Sequence, residues 1–65
     1  MTPKFNIMDV VYIYIAGKAY PRFISEIIIK SNFDYPKYRL NYQQKEYEES
    51  ELFDEVNKED LAPFC

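Results

Sequence analysis

Tyr20 to Lys30, YPRFISEIIIK, is the longest apolar and β-branched run in the chain. Ile24, Ile27, Ile28 and Ile29 lie together with Phe23 in a spacing that does not repeat every three to four residues. The run therefore reads as a β-strand at the centre of the fold rather than a helix. Strict alternation would place Phe23, Ser25, Ile27 and Ile29 on one face and Ile24 and Ile28 on the other. One extra residue near Ser25-Glu26 would instead let Ile24, Ile27 and Ile29 share the core face. That is the arithmetic of a β-bulge, which bends a long strand so that it can serve both halves of a small barrel. Pro21 has no N–H to give, so the strand is expected to be paired on one side at most until that point has passed.

On the N-terminal side, Asp9 to Ile15 (DVVYIYI) is β-branched or aromatic at every position after Asp9, a composition suited to a pleated strand. Alternation sends Val11, Ile13 and Ile15 to one face and Val10, Tyr12 and Tyr14 to the other. The first set is expected to face the core, because tyrosine hydroxyls need water or a partner. Lys4 to Ile7 is expected to be extended, with Phe5 and Ile7 inward. Gly17, the only glycine, stands between the two β-rich runs, where a hairpin needs positive φ.

On the C-terminal side, Ser31 to Pro36 reads as a loop. Lys37 to Gln43 alternates Tyr38, Leu40 and Tyr42 against Lys37, Arg39, Asn41 and Gln43. After a turn at Gln44-Lys45, Glu46 to Phe53 is expected as a further strand. Asn57 then offers an N-cap for one helical turn before Pro63.

The 65 residues allow one domain, a barrel core over residues 4–53 followed by an acidic turn and tail over 54–65. Seven Tyr and five Phe with no Trp supply much of the apolar volume. The single cysteine, Cys65, cannot form an intramolecular disulfide, which makes a cytoplasmic setting the default expectation. The apolar run Val10 to Ala16 is far below the roughly 20 residues of a membrane span, and no basic leader frames it as a signal peptide.

These elements carry a resemblance. A K-F-x-x-x-D-x-V-Y segment (Lys4, Phe5, Asp9, Val11, Tyr12) leads through the glycine hairpin to F-I-S-E-I (Phe23 to Ile27). Y-x-L-x-Y (Tyr38, Leu40, Tyr42) and Y-x-E-x-x-L-F (Tyr47, Glu49, Leu52, Phe53) follow. Over Lys4 to Phe53 this resembles the small SH3-like, Tudor-like barrel proteins of bacteria and their phages, many of them uncharacterised. The resemblance implies an all-β fold, a half-open barrel of about five strands with a short C-terminal helical turn, and a binding role. The chain departs from the family's pattern at Met8, where a glycine usually precedes the aspartate.

Charge divides the chain. Residues 1–44 carry six basic and three acidic side chains, and residues 45–65 carry two basic and eight acidic ones, so +3 is followed by −6. An acidic face of this kind keeps a tyrosine-rich barrel in solution, or it docks on a basic partner protein, where it competes with phosphate. The candidate partner-binding residues are Glu46, Glu48, Glu49 and Glu51 with Tyr38, Tyr42 and Tyr47, since seven tyrosines exceed what one small core can hold with all hydroxyls satisfied. Cross-strand pairing explains some of them; a recognition patch or a homodimer contact would use the rest. A proline-peptide groove is disfavoured by the lack of tryptophan, and a tyrosine cage for methylated lysine is possible in composition only.

Catalysis is not expected. There is no histidine, Cys65 has no basic neighbour in sequence, and one glycine cannot build a phosphate-cradling loop. No cofactor or metal is expected either. The competing reading is a small nucleic-acid- or nucleotide-binding module using Arg22, Lys37 and Arg39 beside the tyrosines, against which the net charge of −3 argues. Size, acidic end and resemblance together suggest a phage or mobile-element accessory protein that binds and inhibits a host defence or nucleic-acid-processing protein.

Overall fold

The β-branched run after Asp9 forms β1 (Val10–Ile15), and the isoleucine-rich stretch forms β2 (Lys18–Ile28), the longest element. The computed structural model describes residues 3–31 and 35–62. β1 and β2 are joined by Ala16 and Gly17, both at positive φ (51° and 80°). This is the type I′ geometry whose twist matches that of the flanking strands. The register runs from Ile15 opposite Lys18 to Val10 opposite Phe23.

β2 continues past β1 to pair with β3 (Lys37–Leu40), and β3 pairs with β4 (Glu46–Glu48), giving an antiparallel sheet in the order β1-β2-β3-β4. The expected bulge is present: Ile24 faces Leu40 but Glu26 faces Arg39, leaving Ser25 as the extra residue. The Ser25 hydroxyl occupies the gap, donating to the Arg39 carbonyl at 3.0 Å and accepting from the Tyr42 N–H at 3.0 Å. The sheet curls into a half-barrel around Phe5, Val11, Ile13, Ile24, Tyr38, Leu40 and Leu52.

Among the described residues there are four strands rather than about five. The last pairing is an isolated bridge in which Tyr12 and Phe53 exchange both backbone hydrogen bonds, at 2.8 and 3.0 Å. Because Tyr12 directs both groups to Phe53, its pair with Pro21 on the other side is one that needs no hydrogen bond. The missing proline N–H therefore leaves no gap in the β1-β2 ladder. The expected strand over Glu46 to Phe53 breaks after Glu48 into a 3₁₀ turn (Glu49–Glu51), and a second 3₁₀ turn (Lys58–Asp60) realises the expected C-terminal helical turn. Pro63 lies outside the described residues. A parallel bridge from Leu61 to Ala19 lays this end of the chain against the other edge of β2, so the strand is paired on both sides before Pro21 rather than on one side at most, because the bond there uses the Ala19 carbonyl and not the proline nitrogen.

Four apolar side chains expected in the core, or on its face of a strand, are exposed instead: Ile7 51%, Ile15 48%, Ile29 50% and Tyr42 79%. Ile15 is the last residue of β1, and Ile29 follows the last residue of β2. Ile7 sits in a turn closed by the Asp9 N–H donating to the Asn6 carbonyl at 3.1 Å. β3 stops at Leu40 because Asn41 and Tyr42 both take positive φ (53° and 60°) in a second type I′ turn, which carries Tyr42 off the core face.

The turn leading into β1 is built on a left-handed residue at the position where the sequence departs from the resembling pattern. Met8 stands at φ 73°, and its N–H reaches the Ile24 carbonyl at 2.7 Å while the Ile24 N–H reaches the Asp9 carbonyl at 2.9 Å. Two residues thus oppose one, in the arrangement of a G1 bulge, with methionine in the place that glycine ordinarily fills.

Candidate partner-binding surface

The acidic residues singled out in the sequence do not behave as one group. Glu46, on β4, accepts from Arg39 Nη2 at 3.4 Å and lies 3.6 Å from the Lys30 ammonium. Glu49 is half-buried, and its Oε2 accepts from the Tyr38 hydroxyl at 2.7 Å and from the Lys4 N–H at 3.1 Å. The Glu51 carboxylate accepts from the Glu48 N–H at 3.1 Å, capping the 3₁₀ turn. Glu48, exposed and opposite Lys37 in the β3-β4 register, completes the capping box with its own side chain accepting from the Glu51 N–H.

The three tyrosines separate as well. Tyr38 is fully buried and packs edge-to-face on Phe5 with ring centroids 5.6 Å apart. Its hydroxyl donates to Glu49 and accepts from the Lys4 N–H at 3.1 Å, so the residue anchors the N-terminal arm and offers nothing to a partner. Burial first, and then the bond to Glu49, push its phenol pKa up from the ordinary value of 10.0. Tyr47 is half-buried against the core, with the Lys45 ammonium 4.7 Å from its ring centroid. Tyr42 projects from its turn, resting edge-on against Phe23 at 5.3 Å.

Arg22, Lys37 and Arg39 do not form a free basic patch. Arg39 Nη1 donates to Glu26 at 2.7 Å, its Nη2 reaches Glu46 and its Nε donates to the Gln44 carbonyl at 3.3 Å. The Glu26 bond raises the Arg39 pKa further above its ordinary range. Arg22 donates to the Pro21 carbonyl at 2.7 Å and stacks over Tyr20 at 5.6 Å.

A cleft of about 410 Å³ brings Glu48 and Glu49 together with Lys37, and also with Lys4, Tyr35, Pro36 and Ser50. Lys4 and Tyr35 are absent from the sequence-derived set. The Lys4-Phe5 pair does stand out in the sequence, but only the Tyr38-Glu49 contact brings the arm to β4. A second groove, of about 290 Å³, places Tyr47 and Glu51 beside Tyr14, Ile15, Lys45 and Phe53. Among the described residues no three His, Cys, Asp or Glu side chains are grouped to hold a metal ion, and no helix is long and apolar enough to cross a membrane. In comparisons with known proteins, no family model, curated protein or solved structure matches the chain.

Proposed function

We propose that this chain is a non-enzymatic protein-interaction module, an SH3-like half-open barrel in which Phe53 stands for the fifth strand and the acidic C-terminal end docks on a basic protein surface. In this reading it acts in the cytoplasm as a phage or mobile-element accessory protein, occupying the phosphate-binding face of a host defence or nucleic-acid-processing protein. The observation that carries the binding mode is the state of the acids: Glu48, Asp54, Glu55 and Glu59 are exposed and enter no ion pair among the described residues. Uncompensated carboxylates on a firm scaffold supply the long-range attraction and register that a basic partner requires. The competing nucleic-acid reading loses support because Arg39, central to its basic face, is already paired with two carboxylates. The phage context rests on the resemblance over Lys4 to Phe53.

The test uses exposed acids that enter neither an ion pair nor the capping box among the described residues. In the Asp54→Lys/Glu55→Lys/Glu59→Lys variant the fold should survive, because exposed charges contribute roughly 0–1 kcal/mol each. Capture of a nuclease-resistant, basic protein partner should be lost, and capture unchanged by the triple reversal overturns the acidic-surface reading. A salt-titrated DNA and RNA binding assay separates the alternatives, since tight, steeply salt-dependent binding by the parent chain would favour a nucleic-acid module.

A further inference from the structure

Ala19 is fully buried, yet it does not belong to the core cluster. Its partner across the β1-β2 ladder is Tyr14, which shares a face of β1 with Val10 and Tyr12, opposite the core residues Val11 and Ile13. Directly paired residues lie on the same face of a sheet, so the Ala19 methyl group points away from the core. The end of the chain meets β2 at this point: Leu61 bridges Ala19, and the Ala62 N–H donates to the Ala19 carbonyl at 2.9 Å. This contact is on the edge of β2 away from β1, whereas Phe53 is bridged to Tyr12 on the edge of β1 away from β2. Residues 54–60 therefore cross the hairpin from one edge to the other. Tyr14 holds both ends of the crossing, its ring edge-on against Phe53 at 5.1 Å and its hydroxyl donating to Asp60 Oδ2 at 2.9 Å.

The crossing segment is separate from what holds the barrel together. Every member of the core cluster lies at or before Leu52. Asp54, Glu55 and Val56 enter no hydrogen bond among the described residues, and within 54–60 only Val56 and Asp60 are half-buried. Segments with few buried apolar contacts and exposed backbone bonds open ahead of the rest of a fold. Charge divides at the same point. Residues 1–53 carry seven basic and seven acidic side chains, and residues 54–65 carry one basic and four acidic ones, so the net charge of −3 belongs wholly to the crossing segment. We infer that residues 54–62 are a strap that docks and releases as one unit on the folded barrel, with Tyr14 as its latch and Ala19 as its seat. Taken with the docking reading above, on which this consequence rests, the strap is the element a basic partner engages. Closed, it presents Asp54, Glu55 and Glu59 in a fixed order; released, it trails them as a flexible tail of unchanged charge.

Amide hydrogen exchange on the full chain tests the strap without any partner. The Asp60, Leu61 and Ala62 N–H groups, bonded to the carbonyls of Asn57, Lys58 and Ala19, should share one protection factor. It should lie about tenfold or more below that of the Ile24 N–H, which is bonded to the Asp9 carbonyl and belongs to a core residue. Tyr14→Phe keeps the ring and the net charge but removes the latch, so it should speed all three together, roughly five-fold, while Ile24 is unchanged. Ala19→Leu sets a larger side chain beside Leu61 and should abolish the protection of all three; if that variant fails to fold, Tyr14→Phe decides alone. Three amides that exchange at unrelated rates, a shared rate equal to that of Ile24, or a Tyr14→Phe variant that leaves them unchanged would each overturn the strap. The docking reading fails separately, when the amides behave as expected but Asp54→Lys/Glu55→Lys/Glu59→Lys leaves partner capture unchanged.

Discussion

Met8 shows how a single side chain can oppose the turn that holds it. Its φ of 73° lies where a Cβ is crowded by the following carbonyl, yet the turn is fixed on both sides by the bonds from Met8 and Ile24 and by the Asp9 carboxylate on Asn6. Met8→Gly should therefore raise the stability of the fold, by about 0.5–2 kcal/mol after glycine's greater freedom in the unfolded chain is offset. Urea denaturation at low micromolar concentration measures this, and a lower midpoint would show that the methionine side chain contributes contacts of its own. Tyr38 poses the opposite case, a polar group that burial and Glu49 hold in its protonated form. Its folded pKa lies above the unfolded value of about 10, so its contribution is complete below that pH and is lost as pH rises through the folded pKa. Stability should be flat between neutral pH and about pH 9 and fall above about pH 10. Tyr38→Phe should flatten part of that fall and cost about 1–2 kcal/mol at neutral pH, because Glu49 loses its donor. An alkaline denaturation series on both chains shows whether the slope belongs to Tyr38. The alternation of Tyr38, Leu40 and Tyr42 in the sequence assigns all three to one face. Nothing local reveals that Tyr42 has left it, because the reversal at Asn41 is held from β2 by the Phe23 N–H donating to Asn41 Oδ1 and by Ser25.

Among the elements, those legible in the sequence are the ones whose cause is local. Gly17 marks its hairpin by composition alone, and the bulge at Ser25 follows from the mismatch between an isoleucine run and a period of two. The break in the strand after Glu48 has a distant cause, since Glu49 turns inward to meet Tyr38 and Lys4, which are 11 and 45 residues away in the chain. The candidate site was only partly legible for the same reason. Charge counting finds the acidic third of the chain, but it cannot tell Asp54, Glu55 and Glu59, which are exposed and outside any ion pair, from Glu46, Glu49 and Glu51, which are bound to neighbours. Ser25 shows what a bulge needs in order to persist. Its hydroxyl serves one donor and one acceptor freed by the irregular register, so Ser25→Ala should cost about 1–2 kcal/mol and speed hydrogen exchange at the Tyr42 amide. Exchange at Tyr42 unchanged by the substitution would mean that the turn is held by Asn41 alone.

The whole molecule is drawn out, with extents of 38 × 20 × 19 Å, and its buried cluster is correspondingly thin. Ile24 is the aliphatic side chain on which that cluster depends most. It is fully buried, whereas Ile27, marked by the sequence for the same face, is only partly covered. Ile24→Ala should destabilise by about 2–5 kcal/mol, a large share of the roughly 3–10 kcal/mol expected at this length, and Ile27→Ala by less. Equal losses in chemical denaturation would place the centre of the core nearer Ile27. The order along β2 also bears on what many copies do together. A stretch with the composition of FISEIII is the kind of segment that templates cross-β stacking when its edge is free. Pro21 stands just before it, opposite a residue whose backbone is turned to Phe53, where the native ladder does not need the N–H that proline lacks. A strand arriving from another chain would need it, so the position costs the fold nothing while denying growth to a fibril. Pro21→Val should leave the soluble protein folded and shorten the lag before thioflavin-positive fibrils appear under agitation.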